Sequence, residues 1–561
     1  MRCILMKIKQ KLLFSDRNME VKANSRKKKK KVVFKPYAQD QEFLLPKNIG
    51  ESICDGHISR LISSIIDQMD ISSIEDQYKG GGASAYHPGM LLKVWILGFV
   101  NRVYSSRNVA KQTRENLTFM WISGNQTPDF RTLNNFRKGL IKDIKVIFKE
   151  VVLQGITLGI ISGKDVFVDH TKKEANANKH KVVWRKQVER QMKNIDDELD
   201  KLFESIDEIN EKEDTLFGDK DLPEQERSGF DPEMVKEIVK RVNEKVKNSK
   251  MPREKGNDIK KKIRRTAELI ERKAGYQKKK SLLGQRNSYS KTDNDAVAML
   301  QKDKISVKPS YNDGIAVENG FILDYIISDN ANDAVSFVPL MEGVKENLEH
   351  APENTTADSI FGTEQNYNYI EKNKIGNFIK YPLFHKEGSR KWRTEKIRFQ
   401  DFIYDKTTDS FTCKNGARLH FVEETKEASS SGYVKTIKHY KAENGICHLC
   451  PFKAKCTTSH ARTLQVSWEM ERLKDIARKN LCSEKGITLR KRRGNEVESV
   501  FGDSKLNRNQ RRYLLRGIKK VTIEAGLHYI AHNVRKIKRF LEQKPKPQSN
   551  QIDFSYCLIL T

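Results

Sequence analysis

From "FLLPKNIGESICDGHISRLISSIIDQMDI" to "TLNNFRKGLIKDIKVIFKEVVLQGITLGI" apolar residues recur three and four apart, interrupted at Gly80 to Gly82 and at Pro88. That spacing gives each segment one face to bury and predicts a compact domain of several short helices over 36–160. "GKDVFVDHTKKEANANKHK" changes the period: Asp165 to Val168 reads as a short strand running straight into Asp169. An acid at the end of a buried strand meets solvent only where that end opens on a site, although an acid starting a turn with Thr171 fits the same residues.

Residues 185–285 are dense in charge, with sparse apolar positions three and four apart, the pattern of long helices or a helical hairpin with a narrow seam. Beyond them, "YNDGIAVENGFILDYIISDN" has alternating apolar residues around Asn319 and Gly320 and predicts a β-hairpin. A helix over "DAVSFVPLMEGVKENLE", a strand ending at Asp358, another helix and a last strand in "NFIKYPLF" follow. This order argues for a multidomain α/β chain. Its core is expected over 161–184, 286–399 and 466–545, with a charged helical insert at 185–285 and a small turn-rich, Cys-rich insert at 400–465. A flexible basic arm at 1–35 and a tail at 546–561 flank it.

Charge narrows the partners. Lys and Arg number 105 against 74 Asp and Glu, a net +31, and an excess that large serves a polyanion more often than mere solubility. No segment reaches the roughly 18 apolar residues of a membrane span, and the N-terminus lacks a signal-peptide cleavage pattern. The expected place is therefore inside a cell, in the cytoplasm. "TPDFRTLNNFRKGL" gathers Arg131, Arg137 and Lys138 behind helix-start signals, as a DNA-reading helix or a solvated helix face would. Of eight cysteines, Cys413, Cys447, Cys450 and Cys456 fall in one region. The two-residue gap between Cys447 and Cys450 suits a structural Zn²⁺, and four reduced thiols in a small packed insert is the rival reading.

The acids form a second pattern. Asp169 and Asp358 share a strand-end context, and two glutamates, Glu496 and Glu498, sit in the basic stretch "RKRRGNEVESVFGDSKLNRNQRRYLLRG". Three carboxylates at two strand ends and on one helix suit two Mg²⁺ ions roughly 4 Å apart, which can run an in-line phosphoryl displacement. At about 100° per residue, Glu498 shares a helix face with Phe501 and Lys505, while Glu496 lies opposite Lys505. Arg492, Arg493, Lys505, Arg511, Arg512 and Arg516 are the candidate phosphate contacts, equally explicable as general basic surface.

"YHPGMLLKVWILGFVNRVYSSRNVAKQTREN", "TPDFRTLNNFRK", "VFVDHTKKEANANKHKVVW", "TDNDAVAM", "ADSIFGTEQNYNYIE", "CHLCPFKAKC" and "VESVFGDSKLNRNQRRYLLRGIKKVTIEAGLHYIAHNVRK" occur in one order between about 36 and 540. In these the chain resembles the DDE transposases of bacterial insertion sequences, in the branch whose helical N-terminal domain precedes a ribonuclease H-like catalytic domain. The resemblance implies that Asp169, Asp358 and Glu498 bind two Mg²⁺ or Mn²⁺ ions. It implies cleavage at terminal inverted repeats, joining to target DNA, and a homodimer that brings two ends together. Glu498 with Lys505 matches the Glu, six residues, Lys half of the signature of related transposases. Three departures stand out: Gly494 where an Arg is usual, with Arg493 beside it; His170 where a small residue usually follows the first Asp; and "YNDGIAV" in place of "YNxQ". A decayed, DNA-binding remnant and a nuclease of the same fold are the alternatives.

Overall fold

The computed structural model describes residues 48–78, 84–217, 253–429 and 431–543. The basic arm, the tail and the Gly80 to Gly82 break lie outside these residues. Ile49–Ser52 is a 3-10 turn, and the described residues from Ile53 onward belong to a second unit.

The second unit begins with a helical region. Helices Ile58–Asp67, Pro88–Val100, Ser106–Glu115, Phe130–Gly139 and Ile144–Thr157 follow one another. Their starts are chemically marked: Pro88 takes the first helical position of its helix, and the Asp129 carboxylate accepts from Arg131 N at 2.8 Å. Pro88–Val100 is apolar around its circumference and is correspondingly buried. Trp95 at its centre is fully buried, and its indole N–H donates to Leu133 O at 3.0 Å.

A mixed sheet follows. Strands β1 (Asp165–Glu174), β4 (Val297–Leu300), β5 (Val307–Glu318), β6 (Phe321–Ser328), β7 (Asn354–Thr356) and β8 (Gly376–Asn377) form it. β5 is antiparallel to β1 and carries both β4 and β6 on its other edge, while β7 is parallel to β1 and β8 to β7. The β5–β6 turn has φ of 54° at Asn319 and 69° at Gly320, the left-handed pair that a two-residue hairpin requires. β1 is longer than the sequence pattern suggested. It continues through Asp169 to Glu174 because "HTKKE", polar enough to read as loop, pairs with Ser310 to Gly314 of β5. Lys173 and Asp313 are both fully buried there as an ion pair at 2.8 Å, and the Tyr513 and Tyr529 hydroxyls donate to the same Asp313 oxygen.

Between β2 (Val182–Trp184) and β3 (Ser288–Ser290), a small two-stranded pair, the chain makes two long helices, Arg185–Phe217 and Arg253–Leu283. They run antiparallel around Ile195, Leu199, Leu269 and Ile270, flanked by Arg265–Glu198 and Lys273–Asp196 pairs, each at 2.8 Å.

Residues 400–465 differ from the turn-rich insert expected. They hold a five-stranded antiparallel sheet, order β13-β12-β11-β10-β9, of β9 (Ile403–Asp405), β10 (Ser410–Thr412), β11 (Arg418–Ala428), β12 (Val434–Ala442) and β13 (Thr463–Val466). Its separate core centres on Phe411, Leu419, Tyr440 and Leu464, with Trp468 stacked on Phe411 at 5.8 Å. β11 is mostly exposed and charged, so it lacks the apolar alternation by which strands are recognised.

Helices Trp468–Cys482, Glu484–Gly502 and Ile518–Gln543 close the unit, the second followed by a π turn, Asp503–Asn507. Glu484–Gly502 packs across β1, and Ile518–Gln543 packs on β6 and on Pro88–Val100. One continuous apolar core therefore runs from Leu61 and Trp95 through Val168 and Ile315 to Ile530.

Candidate active site

Register brings the first two acids together. Thr356 of β7 lies level with Phe167 of β1, and the chain continues from each by two residues to Asp358 and Asp169. Asp358 caps the 3-10 turn Ser359–Phe361, its Oδ1 accepting from Ser359 N at 2.8 Å, and Asp169 Oδ1 accepts from His170 N at 2.8 Å. Each carboxylate thus has one oxygen fixed by its own backbone and the other turned to a shared partner. That partner is Arg493 of the Glu484–Gly502 helix, with Nη1 3.5 Å from Asp169 Oδ2 and Nη2 3.7 Å from Asp358 Oδ2. Burial pushes the Asp169 carboxyl up; the Arg493 charge and the His170 N–H oppose this, and Asp358 and Asp333 reinforce it.

Basic groups that the sequence did not single out surround Asp358. Lys380 lies below its usual value through burial first and then the Arg493 charge, with Asp358 acting the other way. His385 is lowered by burial and by the Lys380 and Arg490 charges. Arg490 lies 5.3 Å over the Phe384 ring, one residue from His385. No motif marks Lys380 or Arg490 in the sequence, because they lie far apart in the chain and only the fold brings their charges together.

The two glutamates separate clearly. Glu496 is committed: one oxygen accepts from Gly320 N at 2.7 Å and the other from Arg492 at 3.0 Å, tying the helix to the β5–β6 turn. The Glu498 side chain is exposed and forms no hydrogen bond or ion pair with any described residue. It is five residues beyond Arg493 on the same helix, and the structure does not bring it against Asp169 or Asp358. The face shared by Glu498, Phe501 and Lys505 does not survive folding: Phe501 is buried, and the π turn after Gly502 breaks the 100° progression. Lys505 points inward, donating to Thr171 Oγ1 and Lys172 O, each at 2.6 Å, and burial with neighbouring Lys173 and Lys302 holds it down to about 8.

The other basic candidates divide by burial. Arg137 is 3% exposed, donates to Tyr104 O at 3.1 Å and lies 4.3 Å over the Trp95 ring, so it is part of the interior. Arg131 is exposed and Lys138 half-buried. Arg492 is held by Asp165 at 3.1 Å as well as by Glu496. Arg511 donates to Lys505 O within its own segment, whereas Arg512 donates to Ala175 O and Arg516 to Asn176 O, so these two exposed arginines also fasten the C-terminal segment to the chain just after β1.

Two carboxylates facing one cation are a hard-oxygen donor pair, which fits a divalent cation such as Mg²⁺, with Arg493 occupying the place of positive charge. The third acid is not gathered: among the described residues no group of three or more His, Cys, Asp or Glu side chains is arranged to hold a metal ion. The same holds for the cysteines, although Cys413, Cys447 and Cys450 lie near enough to Cys456 to raise its thiol further after burial has done so. All four are free of disulfides.

A family model described as a transposase DDE domain matches residues 412–538, and one described as a transposase domain matches residues 47–139. Both matches support an insertion-sequence DDE transposase. The first match contains Glu498 and Lys505; Asp169 and Asp358 lie outside both matches. No curated protein and no solved structure matches the chain. No described helix is long and apolar enough to cross a membrane.

Proposed function

We propose that the transposase cleaves the terminal inverted repeats of its insertion sequence and joins the freed 3′-hydroxyls to target DNA by in-line phosphoryl transfer. The acids are Asp169, Asp358 and Glu498, on a ribonuclease H-like core. The observation that carries this reading is the side-by-side placement of Asp169 and Asp358, fixed by the parallel β1–β7 register. The sheet supports the core assignment, with an antiparallel hairpin on one side of β1 and parallel strands on the other. Glu498 is supported as the third acid by its exposure and lack of a partner among the described residues, in contrast to Glu496.

Asp169, Asp358 and Glu498 would hold two Mg²⁺ or Mn²⁺ ions, which when bound supply a polarised oxygen nucleophile and charge neutralisation at phosphorus. The backbone N–H groups of His170 and Ser359 orient the two aspartates by holding one oxygen of each. Lys380 and Arg490 provide a cationic rim beside Asp358 for the phosphates of the strand being cut. Pairing two element ends calls for two copies of the chain. The four cysteines near the β9–β13 sheet are proposed to take a structural Zn²⁺, which the two-residue gap between Cys447 and Cys450 and the nearness of Cys413 and Cys456 suit.

The test is incubation of the unmodified protein with DNA carrying the inverted repeats that flank its gene, in Mg²⁺, in Mn²⁺ and in EDTA. Nicked and then joined products that need the cation support transposition. Binding without cleavage in either cation would leave a DNA-binding remnant, and cleavage without joined products a nuclease.

A further inference from the structure

Arg493 is placed unlike its neighbour. Arg492 is tied down by hydrogen bonds to Asp165 and Glu496 at 3.1 and 3.0 Å. Arg493 faces Asp169 and Asp358 at 3.5 and 3.7 Å, beyond hydrogen-bond range, and donates no hydrogen bond to any described side chain. Its side chain is only 14% exposed, against 23% for Asp169 and 45% for Asp358. A largely buried guanidinium held by charge alone between two carboxylates is a counter-ion. Without it, two acids at this separation from a common point would repel each other.

We propose that Arg493 is the resident counter-ion of the Asp169–Asp358 pair and competes with the divalent cation for the same two oxygens. Metal loading then displaces the guanidinium, and displacement frees it for a strand phosphate alongside Arg490, one helical turn away on the same helix. The contact is suited to exchange because it is long: an ion pair without hydrogen bonds gives up less when a doubly charged ion arrives. The Asp358 side, the more exposed of the two, is where the incoming ion would enter. This inference rests on the reading of Asp169 and Asp358 as metal ligands.

The experiment is Mn²⁺ binding to the full chain without DNA, followed by electron paramagnetic resonance of free Mn²⁺ and by the melting temperature with and without the ion. Removing a competing unit charge at this distance is expected to let Arg493→Gln bind Mn²⁺ about tenfold more tightly than the unmodified chain. Its metal-free melting temperature should fall, and the rise on adding Mn²⁺ should be larger. Arg493→Lys, which keeps the charge but cannot fork between two carboxylates, should fall between the two and keeps the comparison available if the Gln variant folds poorly. Arg492→Gln should bind Mn²⁺ as the unmodified chain does. Equal or weaker binding by both Arg493 variants, with binding abolished by Asp169→Asn, would overturn the counter-ion role while leaving the metal site standing. Mn²⁺ binding unaffected by Asp169→Asn would overturn both.

Discussion

His170 and Gly314 face each other across β1 and β5, and the imidazole fills the space that any side chain at 314 would need. A Cβ built on Gly314 would meet His170 Nε2 at 2.2 Å. The ring is buried, accepts or donates at Ser336 Oγ at 2.7 Å, and lies 5.3 Å from Phe361, which closes the turn begun by Asp358. The bulk of His170 on β1 is thus accommodated by the absence of a side chain at Gly314 on β5.

Gly314→Ala should destabilise the protein by about 3 kcal/mol through overpacking. His170→Ala in the same chain should recover about 2 kcal/mol of the additive loss, because the two residues compete for one volume. Denaturant midpoints of the two single variants and the double variant measure this; purely additive losses would show that the ring can move aside.

Asp503 anchors the π turn. It accepts from Arg535 at 2.8 Å and Arg508 at 3.2 Å, with His532 at 3.4 Å. Burial alone would raise its carboxyl, but the His532 hydrogen bond and the Arg535 and Arg508 charges hold it well below the usual range. A depressed folded-state value contributes stability that is present above the unfolded value and lost as pH falls towards the folded one. Asp503→Asn should therefore lower stability by about 3 kcal/mol at pH 7, with the gap to the unmodified protein closing only below about pH 4. Melting curves at several pH values check it, and a gap constant down to pH 2 would contradict it.

Purified under reducing conditions, the protein should carry about one zinc per chain, lost in Cys450→Ser. Elemental analysis decides: less than half a zinc, unchanged by Cys450→Ser, would leave the cysteines as packed thiols beside Phe402 and Phe411.

Much of the frame was legible where chemistry is local. Asn319 and Gly320 announce their turn, and the charged seam of 185–285 announces paired helices. Other features depend on partners distant in sequence. "HTKKE" looks like loop until Asp313 supplies the charge that buries Lys173. Arg137 reads as surface until Trp95 and Tyr104 enclose it. β11 and β12 are too polar to show a strand period. At the site, the sequence singled out both aspartates, but Arg493's link between them depends on the register of β1 with β7 and on a helix reached more than a hundred residues later.

The most direct test of the account is strand cleavage and joining on terminal-repeat DNA by the unmodified protein, Asp358→Asn, Glu498→Gln and Glu496→Gln side by side. The account predicts that Asp358→Asn and Glu498→Gln lose at least about a hundredfold in cleavage while still binding DNA, as loss of a metal ligand should. Glu496→Gln, which loses only charge at a turn-bracing contact, should remain within about tenfold of the unmodified protein. An active Glu498→Gln beside an inactive Glu496→Gln would contradict the assignment of the third acid, and full activity in Asp358→Asn would contradict the site itself.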